Sequence, residues 1–470
     1  MTRGIRRALA GLLALGLLAG ACSSDDDDGD TAADDEATEE TPVATGATIR
    51  VPDDHDTIQA AVDAARPGDL VLIAPGVYEE AVDVTVENLT IRGLDRNEVI
   101  LDGGFELENG LRVLADGVAI ENMTARNYTT NGFFWTGVTG YRGSYLTAYR
   151  NGDYGVYAFD SVKGQLEHIY ASGSPDAGIY IGQCYPCDAV ISDVISEYNG
   201  LGYSGTNSGG NLLIVNSTFR HNRAGIVPNS GSYELCYPER ETTIVGNVVY
   251  DNNQPDTPAI DVALLAMGNG ILVAGGNRNV IERNLVFDHE RTGIGLVPFP
   301  EEEANDLVPD PDTWDTPCAE VREEPLPDHP EDALALVLWD PQQNSVRGNV
   351  VSGSGVADLA FGSLQEDLAG LGNCFSGNTF ETTAPNDLEA LAPCDGAPTA
   401  TDWTGGALDL LALMTAEQPP SVDYREAPTP EPLAQPNMPD AETAPPRPAI
   451  DVPFAVDLDA IAVPERPAGT

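Results

Sequence analysis

Short segments in which apolar and polar residues alternate recur along most of the chain. "GVAIENMTA", "GQLEHIYA", "DAVISDVIS", "NLLIVNSTF", "TTIVGNVVY", "NVIERNLVF" and "NSVRGNVVS" are of this kind, the mark of a half-buried strand. A second set of short strands, rich in Val, Ile and Tyr, falls between them. Each of these follows a glycine: Gly132, Gly155, Gly178, Gly202, Gly225, Gly270 or Gly293. Successive glycines stand about 23 residues apart, with one gap of about two such steps. No segment between the strands has a helical period of useful length, so a βαβ architecture is excluded. The period is also too short for a propeller blade. What remains is an all-β solenoid of parallel strands, one coil per ~23 residues, with coils stacked ~4.8 Å apart.

Strand alternation then assigns the interior. On the glycine-led strands Phe133, Val156, Ile179, Tyr203, Ile226, Ile271 and Ile294 should point inward, as should Trp135, Ala158, Ile181, Val273 and Leu296. Asn216, Asn247, Asn284, Asn349 and Asn378 recur at strand junctions. A ladder of side-chain amides satisfying turn backbone groups is the expected use. The opening "DTIQAAVDAARPGDLVLIAPGVYEE", residues 56 to 80, begins with helical spacing of Ile58, Ala61, Val62 and Ala65. Asp56 and Gln59 are placed as a capping box, and Pro67-Gly68 as the stop. This short helix is predicted to plug the first coil, whose strand edges and apolar core would otherwise be open.

The repeat and this opening resemble the right-handed parallel β-helix family of pectin-lyase-like architecture. The resemblance is specific for fold and weak for function. It implies a β-helix domain over 47–395. After Cys394 the composition shifts: a capping segment is expected over 396–417, where "WTGGALDLLALM" is read as a closing helix, and a Pro-rich extended tail over 418–470. Within that tail "AIDVPFAVDLDAI" alternates like a strand. The tail is expected to run back along the solenoid and dock. Inserts at about 228–241, 253–266 and 298–330 break the lattice and should gather on one side.

Charge narrows the partners. The chain has 470 residues with 23 basic against 75 acidic side chains, a net charge of −52. Nucleic acid is excluded, since phosphate binding needs a basic stripe. An anionic polysaccharide would need bridging metal ions. A monomer is expected. The N-terminus carries Arg3, Arg6 and Arg7, then the short apolar run "ALAGLLALGLLAGA", too short for an ordinary spanning helix. The run ends in "LAGAC", which resembles the bacterial lipoprotein lipobox. The resemblance implies a signal peptide over 1–21, lipidation of Cys22, and a membrane-tethered extracytoplasmic protein. The acidic stretch over 22–46 reads as a solvated spacer.

Six further cysteines remain: Cys184, Cys187, Cys236, Cys318, Cys374 and Cys394. Cys184 and Cys187 form a C-x-x-C, yet it follows a strand rather than opening a helix, which argues against a thioredoxin-like site. No second ligand pair at zinc spacing is evident. Disulfides are expected, with the pairing of the first four open among three connectivities and Cys374 with Cys394 closing the C-terminal end.

Two functions fit this frame. Phe134, Tyr157 and Tyr180 share one outward column, and Asp160, Gln183 and Asn207 another. Aromatic faces beside Gln183 and its polar neighbours suit carbohydrate or cell-envelope binding. The alternative is a polysaccharide lyase, C5-epimerase or glycoside hydrolase with a site near residues 150–183. Asp153, Asp160, Lys163 and Arg150 are its candidate catalytic residues, beside Asp176, and calcium would enter with a lyase-like reaction. The polygalacturonase motifs are absent, and "VYAFDSVKG" keeps only a Tyr, Phe159 and Asp160 of an alginate-epimerase-like run. The equivalent-looking runs "FRHNRAGI" and "FDHERTGI" place His221/Arg223 and His289/Arg291 at turns about three coils apart, where turn and surface roles are expected.

Overall fold

The computed structural model describes residues 46–302, 304, 315–323, 336–446 and 455–469. Cys22, the signal segment and nearly all of the spacer lie outside these residues, as does the part of the alternating tail run before residue 455. The described chain is an all-β parallel solenoid. Each coil contributes to three stacks of strands. One stack runs from Thr48–Val51 to Cys374–Ser376, and a second from Gly76–Tyr78 to Val350–Ser352. The long strands Val118–Arg126 and Thr139–Tyr149 pass through both and join them into one sheet. The third stack is a separate sheet of 11 strands, from Val82–Val84 to Thr383–Ala384, and contains the glycine-led strands.

The register confirms the lattice. Val156 lies between Phe133 and Ile179, and Ile179 beside Tyr203, in parallel pairing. Every residue assigned inward from alternation is buried in the solenoid's interior. The glycines ahead of these strands are needed for contact rather than for φ. A Cβ on Gly155 would stand 2.6 Å from the Gly178 carbonyl oxygen.

The turns are built on amide ladders. Asn247, Asn284, Asn349 and Asn378 accept in series from one backbone N–H to the next. Asn216 does not join them, because the neighbouring Ser217 takes its place by donating its N–H to Asn247. A second ladder, Asn199–Asn222–Asn252, ends on His289, and a third runs Asn279–Asn344–Asn373. His289 is therefore a buried ladder residue, and burial lowers its imidazole to about 3. The register aligns His221 with Asp251 and Asn222 with Asn252. His221 and His289 thus occupy different columns two coils apart, and Arg223 is buried rather than superficial.

The helix Ile58–Ala64 plugs the first coil with Ile58, Ala61 and Val62 buried. Its cap is Thr57, which accepts from the Ala60 N–H, and not Asp56. Glu80 accepts from the Ile58 and Gln59 N–H groups, so a carboxylate from the next segment finishes the helix start. At the far end the core is closed by Leu388–Leu391. The helix predicted there forms over Leu410–Thr415 but lies outside the barrel, with Leu410 against Gly362 on the third sheet.

The tail docks. Arg223 donates to the carbonyls of Pro419 and Pro420, Arg150 to Ala427, and Arg92 to Ala444 and Pro445. The strap thus passes from middle coils toward the first. A later part returns, placing Ile461 against Gly246 and pairing Arg466 with Asp288. Three disulfides join Cys184 to Cys187, Cys236 to Cys318, and Cys374 to Cys394. The second ties the 230–239 loop to the insert following Thr292–Val297.

Candidate functional site

The outer face of the third sheet divides in two. Its later coils present Ala224, Val227 and Leu272, which the helix Asp261–Ala266 covers with Ala263 and Ala266. A small apolar cavity remains between that helix and Leu410–Thr415, lined by Val227, Leu272, Phe299 and Leu413. The earlier coils present tyrosines and acids instead.

Phe134, Tyr157 and Tyr180 do share a column. The Tyr157 ring is stacked between Phe134 at 4.7 Å and Tyr154 at 4.2 Å. Both of its faces are therefore taken by neighbours. Tyr180 is 1% exposed, because the 230–239 loop lies over it. Gln183 is buried by the same loop, its side-chain oxygen accepting from the Leu235 N–H at 2.9 Å. A continuous open ramp of ring faces is thus absent from these coils; the rings pack on one another.

The four catalytic candidates do not converge. Arg150 and Asp153 precede the strand Tyr154–Phe159, while Asp160 and Lys163 follow it. The two ends lie about 20 Å apart at ~3.3 Å per residue. Arg150 is occupied by the tail. Asp160 and Lys163 occupy left-handed turn positions with φ of 54° and 60°. Their backbone N–H groups donate to Gly182 and Cys187 of the next coil.

The structure gathers a different set around Asp153. Asp176 is its equivalent one coil on and donates its N–H to the Asp153 carbonyl. The Tyr154 hydroxyl donates to Asp176 Oδ2 at 2.5 Å. The Tyr180 hydroxyl donates to Glu234 Oε1 at 2.6 Å. The other oxygen of Glu234, Oε2, is buried with no hydrogen-bond partner among the described residues. Burial pushes Asp176 up to about 7, with the charge of Asp153 adding to it and the Tyr154 hydrogen bond opposing. Burial likewise pushes Glu234 up to about 8, with Asp176 adding and Tyr180 opposing. Burial also raises Asp153. The rim carries Tyr233, whose hydroxyl accepts from Asn229 at 2.7 Å, and Tyr424 of the tail, which meets Phe105 at 5.8 Å.

Chemically, the pair offers a proton donor and a proton acceptor at neutral pH. When two interacting carboxyl groups titrate near 7 and 8, one is ionised and the other protonated in between. Among the described residues no group of three His, Cys, Asp or Glu side chains could hold a metal ion. Among them, too, no helix is long and apolar enough to cross a membrane.

Asp176 was within reach of sequence reasoning, since it stands 23 residues after Asp153 on the lattice. Glu234 was not, because it belongs to a loop that leaves the lattice and folds back 54 residues from Tyr180.

The comparisons with known proteins address the frame of this site. No curated protein sequence matches the chain. The A-module of a mannuronan C-5 epimerase from Azotobacter vinelandii superposes with a TM-score of 0.41 at 15% identity, covering 72% of this chain and 95% of its own. An alginate lyase from Paenibacillus superposes with a TM-score of 0.36 at 15% identity, covering 53% of this chain and 90% of its own. A protein of Geobacillus virus E2 gives 0.40 at 12% identity, covering 71% of this chain and 63% of its own. The right-handed beta helix region family matches residues 75–235 and 131–298. Through these coils the chain is a member of the right-handed parallel β-helix family.

Proposed function

We propose that the protein acts on a polysaccharide, with the Asp176–Glu234 cleft supplying general acid and general base. Glu234 is the acid and Asp176 the base. The observation that carries this reading is the unpartnered Glu234 Oε2. Tyr180 occupies the other oxygen, so the proton of the neutral carboxyl resides on Oε2, where no protein acceptor competes for it. Tyr154 steadies Asp176 in its ionised form by donating to it. The third sheet is a rigid base for both groups, and the 230–239 loop brings Glu234 over it and is stapled by Cys236–Cys318.

The earlier expectation of simple glycan binding along a Tyr-bearing face has less support, because the ring faces are stacked on each other. The test is product analysis on a polysaccharide panel with the full chain and Glu234→Gln. New chain ends formed by the native protein and lost in the variant support the reading. Equal product from both removes Glu234 from it, and equal binding without product from either returns the protein to the binding class. We further propose that Cys22 carries the lipid that tethers the protein outside the cytoplasmic membrane. The intact mass of the mature N-terminal peptide tests it, an unmodified Cys22 being the adverse result.

A further inference from the structure

We infer that the glycan this cleft takes is uncharged and is cut by hydrolysis, rather than being a polyuronate cut by elimination or epimerised. The inference rests on the reading of the cleft as a polysaccharide site and narrows it. A uronate carries one carboxylate per sugar. Removing its C5 proton requires the charge of that carboxylate to be offset by a cation or by hydrogen-bond donors aimed at it, and here the Tyr154 and Tyr180 hydroxyls are already given to Asp176 and Glu234. The cleft brings acids in place of cations.

The nearby basic groups are committed elsewhere. Arg112, in the column of Phe134, is held by both oxygens of Asp83 at 2.8 and 2.7 Å. Arg150 donates to the tail carbonyl of Ala427. Arg223 is spent on the carbonyls of Pro255, Thr257, Pro419 and Pro420. Arg240 donates to Cys236 and Pro238 within its own loop and lies over the Tyr185 ring at 3.6 Å. Lys163 stands past the opposite end of the strand from Asp153. Among the described residues there is also no group of three His, Cys, Asp or Glu side chains to hold a bridging metal ion by protein ligands alone. A uronate entering here would meet the carboxylates of Asp153 and Asp176 with its own negative charge unopposed. A neutral sugar brings hydroxyls, each both donor and acceptor, and these match carboxyl and tyrosine groups of either protonation state.

The balanced step is hydrolysis. A water oxygen bonds to the anomeric carbon as the bond from that carbon to the departing sugar's oxygen breaks. Asp176 receives the proton of the water, and Glu234 gives its proton to the departing oxygen. One proton enters the pair and one leaves it, with no oxidant or metal required.

The experiment measures binding and turnover of the full chain at neutral pH, at low and high salt. The probes are neutral hexasaccharides of glucose, xylose and mannose and hexasaccharides of mannuronate, guluronate and galacturonate. At least one neutral oligosaccharide is expected to bind ten-fold or more tighter than every uronate and to yield new reducing ends without unsaturated products. Uronate affinity should rise with salt and in Asp153→Asn. A uronate bound more tightly than any neutral sugar, or unsaturated ends, overturns the inference and leaves the polysaccharide reading standing. Failure of every probe to bind or react counts against that reading itself, and the inference falls with it.

Discussion

Two acidic regions of the solenoid use opposite solutions. In the first coils Glu121 is fully buried and meets Arg92 at 2.7 Å, and both side chains are inaccessible. Arg92 then spends its remaining donors on the strap carbonyls of Ala444 and Pro445. In the middle coils the half-buried Asp176 and Glu234 lie against tyrosines, and no cation among the described residues pairs with either. A buried charge that finds a cation and carbonyls is compensated, and it holds two parts of the chain together. A buried carboxyl offered only a hydroxyl keeps its proton to higher pH and becomes a reagent. The same residue type thus serves as a fastener in one place and as proton-transfer machinery in the other.

Substitutions that exchange the two situations should separate them. The largest effect is expected from Glu234→Gln, which keeps the bond from Tyr180 but removes the transferable proton. Turnover should fall by about 10²- to 10⁴-fold, with melting temperature almost unchanged, as a reducing-end assay and calorimetry would show. Arg92→Met should do the reverse. It strands Glu121 and should cost about 3–5 kcal/mol in unfolding free energy, while the double variant Arg92→Met/Glu121→Leu recovers most of that in denaturant titration.

Asp176→Asn should show the sign of a raised carboxyl. The folded protein holds this proton up to about 7, against 3.8 for an ordinary aspartate. Its favourable contribution is therefore complete below pH ~4, declines as pH rises through about 7, and is constant above. The asparagine variant should match the native protein in acid. Above neutrality it should be more stable, by about 2 kcal/mol once screening at the partly open cleft is allowed for. Melting curves across that range would reveal the crossover. The smallest effect belongs to Tyr424→Ala, which removes the tail's ring from the rim: about a five-fold rise in KM at unchanged kcat.

The fold was legible because a solenoid is a periodic object. Gly132, Gly155 and Gly178 mark the same point on successive coils, and one column of apolar residues repeats the lesson of the last. Errors arose where one residue substitutes for its neighbour in a shared role. Ser217 replaces Asn216 in the ladder, and Thr57 replaces Asp56 at the helix start, because a hydroxyl one position along reaches the same backbone group. His221 and His289 looked equivalent in local sequence, but pairing register rather than local spelling decides which column a turn residue enters.

The site was legible only in part. Phe134, Tyr157, Tyr180, Asp153 and Asp176 all sit on the lattice, so their columns could be counted out. What covers the columns could not be counted. The 230–239 loop over Tyr180 and Gln183, Glu234 on that loop, and the strap on Arg150 come from segments outside the repeat, and their docking depends on contacts 54 to several hundred residues away in sequence.

By itself, then, the amino-acid order determined the parallel coil, its interior, its capped first turn and the columns on each face, since all of these follow from local alternation and a constant period. Only tertiary structure decided which cysteines paired, which arginines were spent on the strap, and which carboxyl groups lost their water. Those outcomes depend on desolvation and on partners brought from distant positions, and neither is encoded in any one lap of the repeat.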